Sequence, residues 1–151
     1  MGALEALLAR LEAAGSVGLD TPVFIYAFED NRHYGAVALA AFAQLASGQF
    51  RACASALALG ETLVAAHKAE RPDLVIRYRA LFQSFPNLET RAFDTDAADR
   101  MAELRAKYSV CMPDAIHLAS ALGWGARAFL TNDASLRRVS EIEVLLLSDY
   151  V

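Results

Sequence analysis

The chain has 151 residues, a formal net charge of −4 at pH 7, 56% hydrophobic residues and 21% charged residues. This length suits one domain with a core of its own, and the apolar content excludes an intrinsically disordered chain. A protein that binds nucleic acid only through its phosphates is usually basic, so the negative net charge argues against a simple nucleic-acid-binding module. The argument does not apply to an enzyme that holds a metal cation, because the cation supplies the positive charge at the phosphate.

No apolar stretch reaches the roughly eighteen residues that a membrane span needs. Segment 1–15 carries charged residues at helical spacing, unlike the unbroken apolar centre of a signal peptide. We therefore expect a cytoplasmic protein without membrane attachment. Cys53 and Cys111 each lie in an apolar run and share no metal-binding spacing, so both are predicted to be buried free thiols.

Short apolar runs alternate along the chain with longer segments of helical periodicity. The predicted helices, in chain order, are 4–14, 22–28, 34–46, 56–68, 72–83, 95–108 and 113–123, with a short helix after 133. The predicted strands are 16–19, 50–54, 88–93, 126–130 and 144–147. Strands separated by helices imply parallel crossover connections. The sequence therefore predicts a single domain over 1–151 with an α/β fold, a three-layer sandwich around a small, mainly parallel sheet of four or five strands.

Two acidic residues directly follow predicted strands. Asp20 comes after the apolar run 17–19, and Asp133 follows the run 128–132. Ligands of open parallel sheets bind beyond the carboxyl ends of the strands, where a buried carboxylate is costly unless a cation compensates it. Alone, each residue is more typical of a helix cap or a turn. The pair in one fold favours a divalent cation.

Two further acidic residues belong to predicted helices. Asp114 follows Pro113 in a first helical turn, where free N–H groups and the helix dipole keep a carboxylate ionised, although this placement is also routine. Glu61 lies in segment 56–65, which is apolar almost all round and is predicted to be buried. Its carboxylate therefore needs a basic partner or a charged site. Gly60 beside it, unfavourable in a helix by about 1 kcal/mol, suggests a close packing contact.

These residues fall into four short motifs, which occur in segments 19–26, 55–61, 112–119 and 129–133. In their order and spacing the motifs resemble those of the PIN-domain ribonucleases. Within that family the chain looks most like the VapC-type toxins of bacterial and archaeal toxin–antitoxin pairs. The resemblance extends from about residue 16 to the C-terminus.

The resemblance implies a PIN-like fold and a ribonuclease that hydrolyses RNA phosphodiester bonds with Mg²⁺ or Mn²⁺. By position it assigns the metal-binding and catalytic roles to four acids, Asp20, Glu61, Asp114 and Asp133. It gives supporting roles to Thr21, Thr131 and Asn132. It also implies a cognate antitoxin protein as partner and a homodimer.

Three features depart from the family pattern. Pro22 stands where the family often has Asn or Ser, and Ser135 stands where many members have another acid. Residues 2–14 are predicted to form a helical extension before a first strand that usually begins the protein. The first two departures touch the rim of the site and bear on metal affinity or stoichiometry.

Other interpretations of the acidic residues are weaker. The Asp94-Thr95-Asp96 motif resembles the nucleophile motif of dehalogenase-like phosphatases and the metal motif of some glycosyltransferases, but too little chain follows it and helix capping explains it. A receiver domain would need a lysine late in the chain, and the last lysine here is Lys107.

A non-catalytic PIN-like module that binds protein or RNA is the main alternative. His117, one turn after Asp114, is predicted to be a core residue or a support for the site.

Overall fold

A computed structural model describes all 151 residues, which form seven α-helices, five β-strands and two 3₁₀ helices. The α-helices are α1 (Ala3–Ala14), α2 (Thr21–Phe28), α3 (Gly35–Ala46), α4 (Ala56–Lys68), α5 (Pro72–Ser84), α6 (Thr95–Tyr108) and α7 (Met112–Trp124). The strands are β1 (Ser16–Leu19), β2 (Arg51–Ser55), β3 (Leu88–Arg91), β4 (Ala128–Thr131) and β5 (Glu143–Leu146). The 3₁₀ helices are Ala134–Arg138 and Leu147–Tyr150.

The five strands form one sheet in the order β3-β2-β1-β4-β5, and every neighbouring pair is parallel. The predicted α/β class and the small parallel sheet are confirmed. From β1 the chain builds the sheet outward in one direction through β2 and β3, and then in the other through β4 and β5. The switch point therefore lies between the carboxyl ends of β1 and β4, which is where ligands bind in such sheets.

Side chains alternate between two apolar cores, one on each face of the sheet. Val17 and Leu19 of β1 belong to the larger core, which helices α1 to α5 cover. Phe129 of β4 belongs to the smaller core under α6 and α7. This alternation follows from the two-residue period of a strand, and it produces the predicted three layers.

Gly18 faces α7, and its lack of a side chain sets the distance of that helix from the sheet. A Cβ atom at this position would lie 2.6 Å from the Cβ of Ala121 and 2.9 Å from the ring of Phe129. Helix α7 can therefore lie directly on β1. Because Asp114 and His117 are on α7, this contact fixes the position of both relative to the end of β1.

Helix α1 is an integral part of the larger core. Leu7 and Leu11 are fully buried, and α1 packs against α3 and the C-terminal 3₁₀ helix. The side-chain amide of Gln44 donates a 3.0 Å hydrogen bond to the carbonyl of Leu8. Burying each leucine contributes roughly 1.5–3 kcal/mol.

Among the helices, none combines the length and the apolar character required for crossing a bilayer.

The two cysteines differ in environment, so one part of the sequence prediction was wrong. Cys53 in β2 is buried, as expected, but Cys111 is exposed. The apolar run around Cys111 ends at the surface, because Cys111 is the N-cap residue of α7 and precedes the buried turn that begins at Ala115.

Helix α4 is also more exposed than the sequence predicted. Ala58, Thr62 and Ala66 form its buried face, whereas Gly60 and Val64 face solvent. Apart from the neighbouring residues and backbone of α4 itself, no atom lies within 4 Å of a Cβ built at Gly60. The glycine therefore serves no packing contact within this chain, contrary to expectation.

Candidate functional site

The four predicted acidic residues all line one cavity of about 580 Å³ at the switch point of the sheet. Asp20 follows β1 and Asp133 follows β4, while Glu61 projects from α4 and Asp114 from α7. The cavity is lined by Asp20, Thr21, Pro22, Ile25, Tyr26, Glu61, Asp114, His117, Asn132, Asp133 and Ala134. No Lys or Arg is among them. Acids up to 113 residues apart in sequence thus share one cavity without a Lys or Arg to neutralise them.

Asp20 is the only acidic side chain buried in the protein, with 5% of its surface exposed. Its carboxylate accepts hydrogen bonds from the backbone N–H of Thr21 (2.8 Å) and the hydroxyl of Thr131 (2.7 Å). Burial raises the pKa of this carboxyl, and the charge of Asp114 adds to the rise, although His117 and the two hydrogen bonds oppose it. The ionised Asp20 therefore lacks sufficient compensation from the protein alone, and a cation would supply it.

Glu61 is held by two side chains from other helices. Its carboxylate accepts a 2.6 Å hydrogen bond from the Thr21 hydroxyl, and its Oε1 lies 2.7 Å from Nε2 of His117. His117 is 3% exposed, and its Nε2 also lies 3.9 Å from Oδ1 of Asp20. Since a carboxylate only accepts hydrogen bonds, Nε2 must carry the proton it donates to Glu61. His117 is thus a support for the acidic cavity, one of the two roles predicted from its spacing after Asp114.

Asp114 and Asp133 are half-buried and make hydrogen bonds within their own turns. The thiol of Cys111 donates to Asp114 over 2.9 Å. Asp133 accepts from the backbone N–H (2.9 Å) and the hydroxyl (2.7 Å) of Ser135. Ser135, where many family members have an acid, therefore orients Asp133 in this chain.

The turn after β4 is fixed by its own polar side chains. The fully buried hydroxyl of Thr131 accepts the backbone N–H of Asp133 over 3.1 Å while donating to Asp20. The side-chain oxygen of Asn132 accepts the backbone N–H of Ser148 over 3.0 Å, which ties the turn to the C-terminal 3₁₀ helix. Thr131 and Asn132 thus fix the backbone conformation of the turn that carries Asp133.

The donor set of the cavity suits a hard divalent cation. Such ions prefer oxygen ligands, and carboxylates are the ligands that compensate their charge. In the present side-chain positions, however, no three His, Cys, Asp or Glu side chains are placed to hold one metal ion together. The carboxylates of Asp114 and Asp133 are turned toward Cys111 and Ser135. Joint coordination therefore requires these two half-buried side chains to rotate away from their local partners.

Tyr26 also lines the cavity, although the sequence did not single it out. It lies in α2 with Pro22 and Ile25, at the i, i+3 and i+4 spacing of one helix face. Its spacing from Pro22 within the first motif, segment 19–26, is the signal that could have identified it.

Fold and site together define a small α/β protein with an acidic cleft at the carboxyl edge of a parallel sheet. The chain belongs to the PIN domain family, whose model matches residues 17–142. The family resemblance found from the sequence motifs is confirmed. Helix α1 precedes the matched region.

Three solved structures share the fold, and each aligns over 87% of this chain. VapBC2 from Rickettsia felis bound to a promoter DNA fragment has a TM-score of 0.68 at 18% identity over 98% of the matched chain. A toxin–antitoxin complex from Klebsiella pneumoniae has a TM-score of 0.66 at 21% identity over 97% of the matched chain. DNA-bound VapBC from Salmonella typhimurium has a TM-score of 0.63 at 24% identity over 97% of the matched chain. No curated protein matches the chain significantly in sequence.

Proposed function

We propose that this protein is a Mg²⁺- or Mn²⁺-dependent ribonuclease that hydrolyses RNA phosphodiester bonds. The observation that carries the proposal is the gathering of Asp20, Glu61, Asp114 and Asp133 around one cavity that contains no Lys or Arg. Membership of the PIN domain family supports the same activity. Acids crowded in this way repel one another, and a divalent cation is the species that makes the arrangement favourable.

The four carboxylates would hold the ion or ions. A bound divalent ion lowers the pKa of water and neutralises the charge that develops on the phosphate. The protein's own contribution is orientation. Thr131 fixes Asp20, while Thr21 and His117 fix Glu61 at the side of the cavity nearest α4. Glu61, whose side chain is 38% exposed, can bind metal directly or through water, or accept a proton from water.

Cleavage of RNA by the purified protein tests this proposal. We expect cleavage with Mg²⁺ or Mn²⁺, none with EDTA, and products that carry 5′-phosphate and 3′-hydroxyl ends. Asp20→Asn and Asp114→Asn should each abolish cleavage. The matched control is Asp96→Asn, because Asp96 is exposed on α6 and lies outside the acidic cavity. Metal-dependent cleavage that survives both active-site substitutions would refute the assignment.

We further propose that the ribonuclease is the toxin of a type II toxin–antitoxin pair, acts in the cytoplasm as a homodimer and is restrained by a cognate antitoxin protein. The structural neighbours named above support this, since they are VapBC or toxin–antitoxin complexes. Expression of the wild-type chain should slow growth, whereas the Asp20→Asn chain should not. A small adjacent open reading frame should relieve the arrest when co-expressed. Sedimentation should give the mass of two chains.

A non-catalytic PIN-like module is the second candidate. One observation favours it: Asp114 and Asp133 are hydrogen-bonded within their own turns rather than turned toward a common point. Calorimetry with Mn²⁺ separates the two. A ribonuclease should bind Mn²⁺ in the wild-type form and lose affinity with Asp20→Asn. Identical heats for the two proteins would favour the module.

A further inference from the structure

Two tyrosines form an aromatic pair at the edge of the acidic cavity. Tyr26 lines the cavity, and its hydroxyl oxygen lies 3.4 Å from the side-chain nitrogen of Asn132 in the turn that precedes Asp133. The ring of Tyr34 packs against Tyr26, with centroids 4.9 Å apart and an interplanar angle of 34°. The aromatic surface therefore begins at the cavity wall and extends away from it.

Both rings are only half-buried. Each packs one side against the larger core and leaves the rest accessible to solvent, whereas the core aromatics Phe24 and Phe42 are almost completely buried. The accessible surface of Tyr26 therefore lies at the cavity, and that of Tyr34 continues it through the contact between the two rings.

The pair is held rigidly. The side-chain oxygen of Asn31 accepts the backbone N–H groups of His33 (3.0 Å) and Tyr34 (2.9 Å), which fixes the loop before α3. Gly35 allows α3 to approach α2 closely, because a Cβ there would lie 3.1 Å from the carbonyl oxygen of Tyr26. A preorganised aromatic surface loses little entropy when a ligand stacks on it.

An acidic protein has a particular difficulty in binding RNA. The net charge is −4, and no Lys or Arg lines the cavity, so without a bound cation the cavity side chains offer little attraction to phosphates. Stacking of bases on aromatic rings supplies affinity without charge, and every base has a face that can stack. Bases inside a duplex are already stacked and are not accessible to such a surface.

We propose that Tyr26 and Tyr34 form a stacking surface that binds an unpaired base of the RNA next to the scissile phosphate. This inference rests on the proposed ribonuclease function. Tyr34 is the better probe, because it does not line the cavity.

The test uses the full chain and RNA hexamers that contain 2-aminopurine, whose fluorescence falls when it stacks. In EDTA the wild-type protein should quench the single-stranded probe. Tyr34→Leu, which keeps apolar volume but removes the ring, should weaken probe binding by roughly 5- to 150-fold. Tyr34→Phe should restore both binding and quenching. Phe85→Leu is the matched control, since Phe85 is a half-buried aromatic at the end of α5 that packs on Phe42.

With Mg²⁺ or Mn²⁺, Tyr34→Leu should raise KM for single-stranded RNA by the same factor and leave kcat nearly unchanged. The preference for single-stranded over hairpin RNA should fall accordingly. Absence of quenching by the wild-type protein, or equal quenching by Tyr34→Leu, overturns the inference, even if metal-dependent cleavage is intact. Failure of the wild-type protein to cleave any RNA would instead refute the ribonuclease proposal, and the quenching series would still show whether the tyrosines bind bases.

Discussion

Replacing Asp20 by Asn changes the one buried acidic side chain into a neutral amide of the same shape. In the metal-free protein two effects oppose each other. The carboxylate loses a charge-assisted hydrogen bond from Thr131, worth about 1.5–3 kcal/mol. Against this, the substitution removes a charge whose burial is unfavourable, as the raised pKa of Asp20 indicates. We therefore expect the unfolding free energy to change by no more than about 1 kcal/mol, or about 4 °C in Tm.

The pH dependence of this comparison has a definite sign. Because the folded pKa of Asp20 is raised above the unfolded value, ionisation of this group destabilises the folded state. Without metal, the wild type should lose stability relative to Asp20→Asn as pH rises through the folded pKa. The relative stabilities should stop changing below the unfolded pKa of about 3.9, where Asp20 is protonated in both states.

Bound metal should make the wild type more stable than Asp20→Asn, the reverse of the order expected without metal. A ligand at 100 times its Kd stabilises a protein by about 2.7 kcal/mol, which corresponds to roughly 5–11 °C in Tm for a domain of this size. If the amide weakens binding by about 10- to 100-fold, the same Mn²⁺ concentration stabilises the variant by only about 0.4–1.4 kcal/mol. Differential scanning fluorimetry with an Mn²⁺ titration measures both values. Equal metal-induced shifts in the wild type and in Asp20→Asn would refute the reasoning, and Asp96→Asn should behave as the wild type.

Three further predictions concern the scaffold. Gly18→Ala should destabilise the protein by about 1–3 kcal/mol in urea unfolding, because the new methyl group would lie 2.6 Å from the Cβ of Ala121. Asp94→Ala should cost about 0.5–2 kcal/mol by the same measurement, since Asp94 caps α6 through the N–H of Ala97 over 2.9 Å. A thiol reagent should label Cys111 and spare Cys53, whose burial raises its pKa to about 12.

Each scaffold prediction has a clear contrary result. An unchanged urea midpoint for Gly18→Ala would mean that α7 moves freely on β1. An unchanged midpoint for Asp94→Ala would remove its capping role. For the thiols, the folded protein should react at one site and the denatured protein at two, so two fast sites in the folded protein would contradict the burial of Cys53.

The strands and helices were predictable because the hydrophobic periodicity of each segment agreed with the capping and helix-breaking residues at its ends. Asp20, Ser55 and Asp94 each cap a helix that begins where the pattern predicted, within a residue or two. The end of β3 was misplaced, since the structure ends it at Arg91 and the alternation runs on to Phe93. The strand order was not predictable from one sequence, because local patterns do not specify which strands pair.

The membership of the acidic cavity was predictable from motif order, and its side-chain arrangement was not. Strand ends and a helix start placed Asp20, Asp114 and Asp133 at one edge of the sheet. The hydrogen bonds that Cys111 and Ser135 make to two of these acids depend on rotamers, which a sequence does not specify. Exposure of Gly60 and Cys111 also depended on which elements pack together, and apolar composition alone misjudged both.

Anomalous diffraction from a crystal grown with Mn²⁺ tests most directly whether the acids act together. We predict a manganese peak inside the cavity, within bonding distance of Asp20 and Asp114 or Asp133, with the side chains of the latter two turned away from Cys111 and Ser135. A fully occupied manganese site elsewhere on the molecule, with the cavity acids still hydrogen-bonded within their own turns, would contradict a metal-dependent active site.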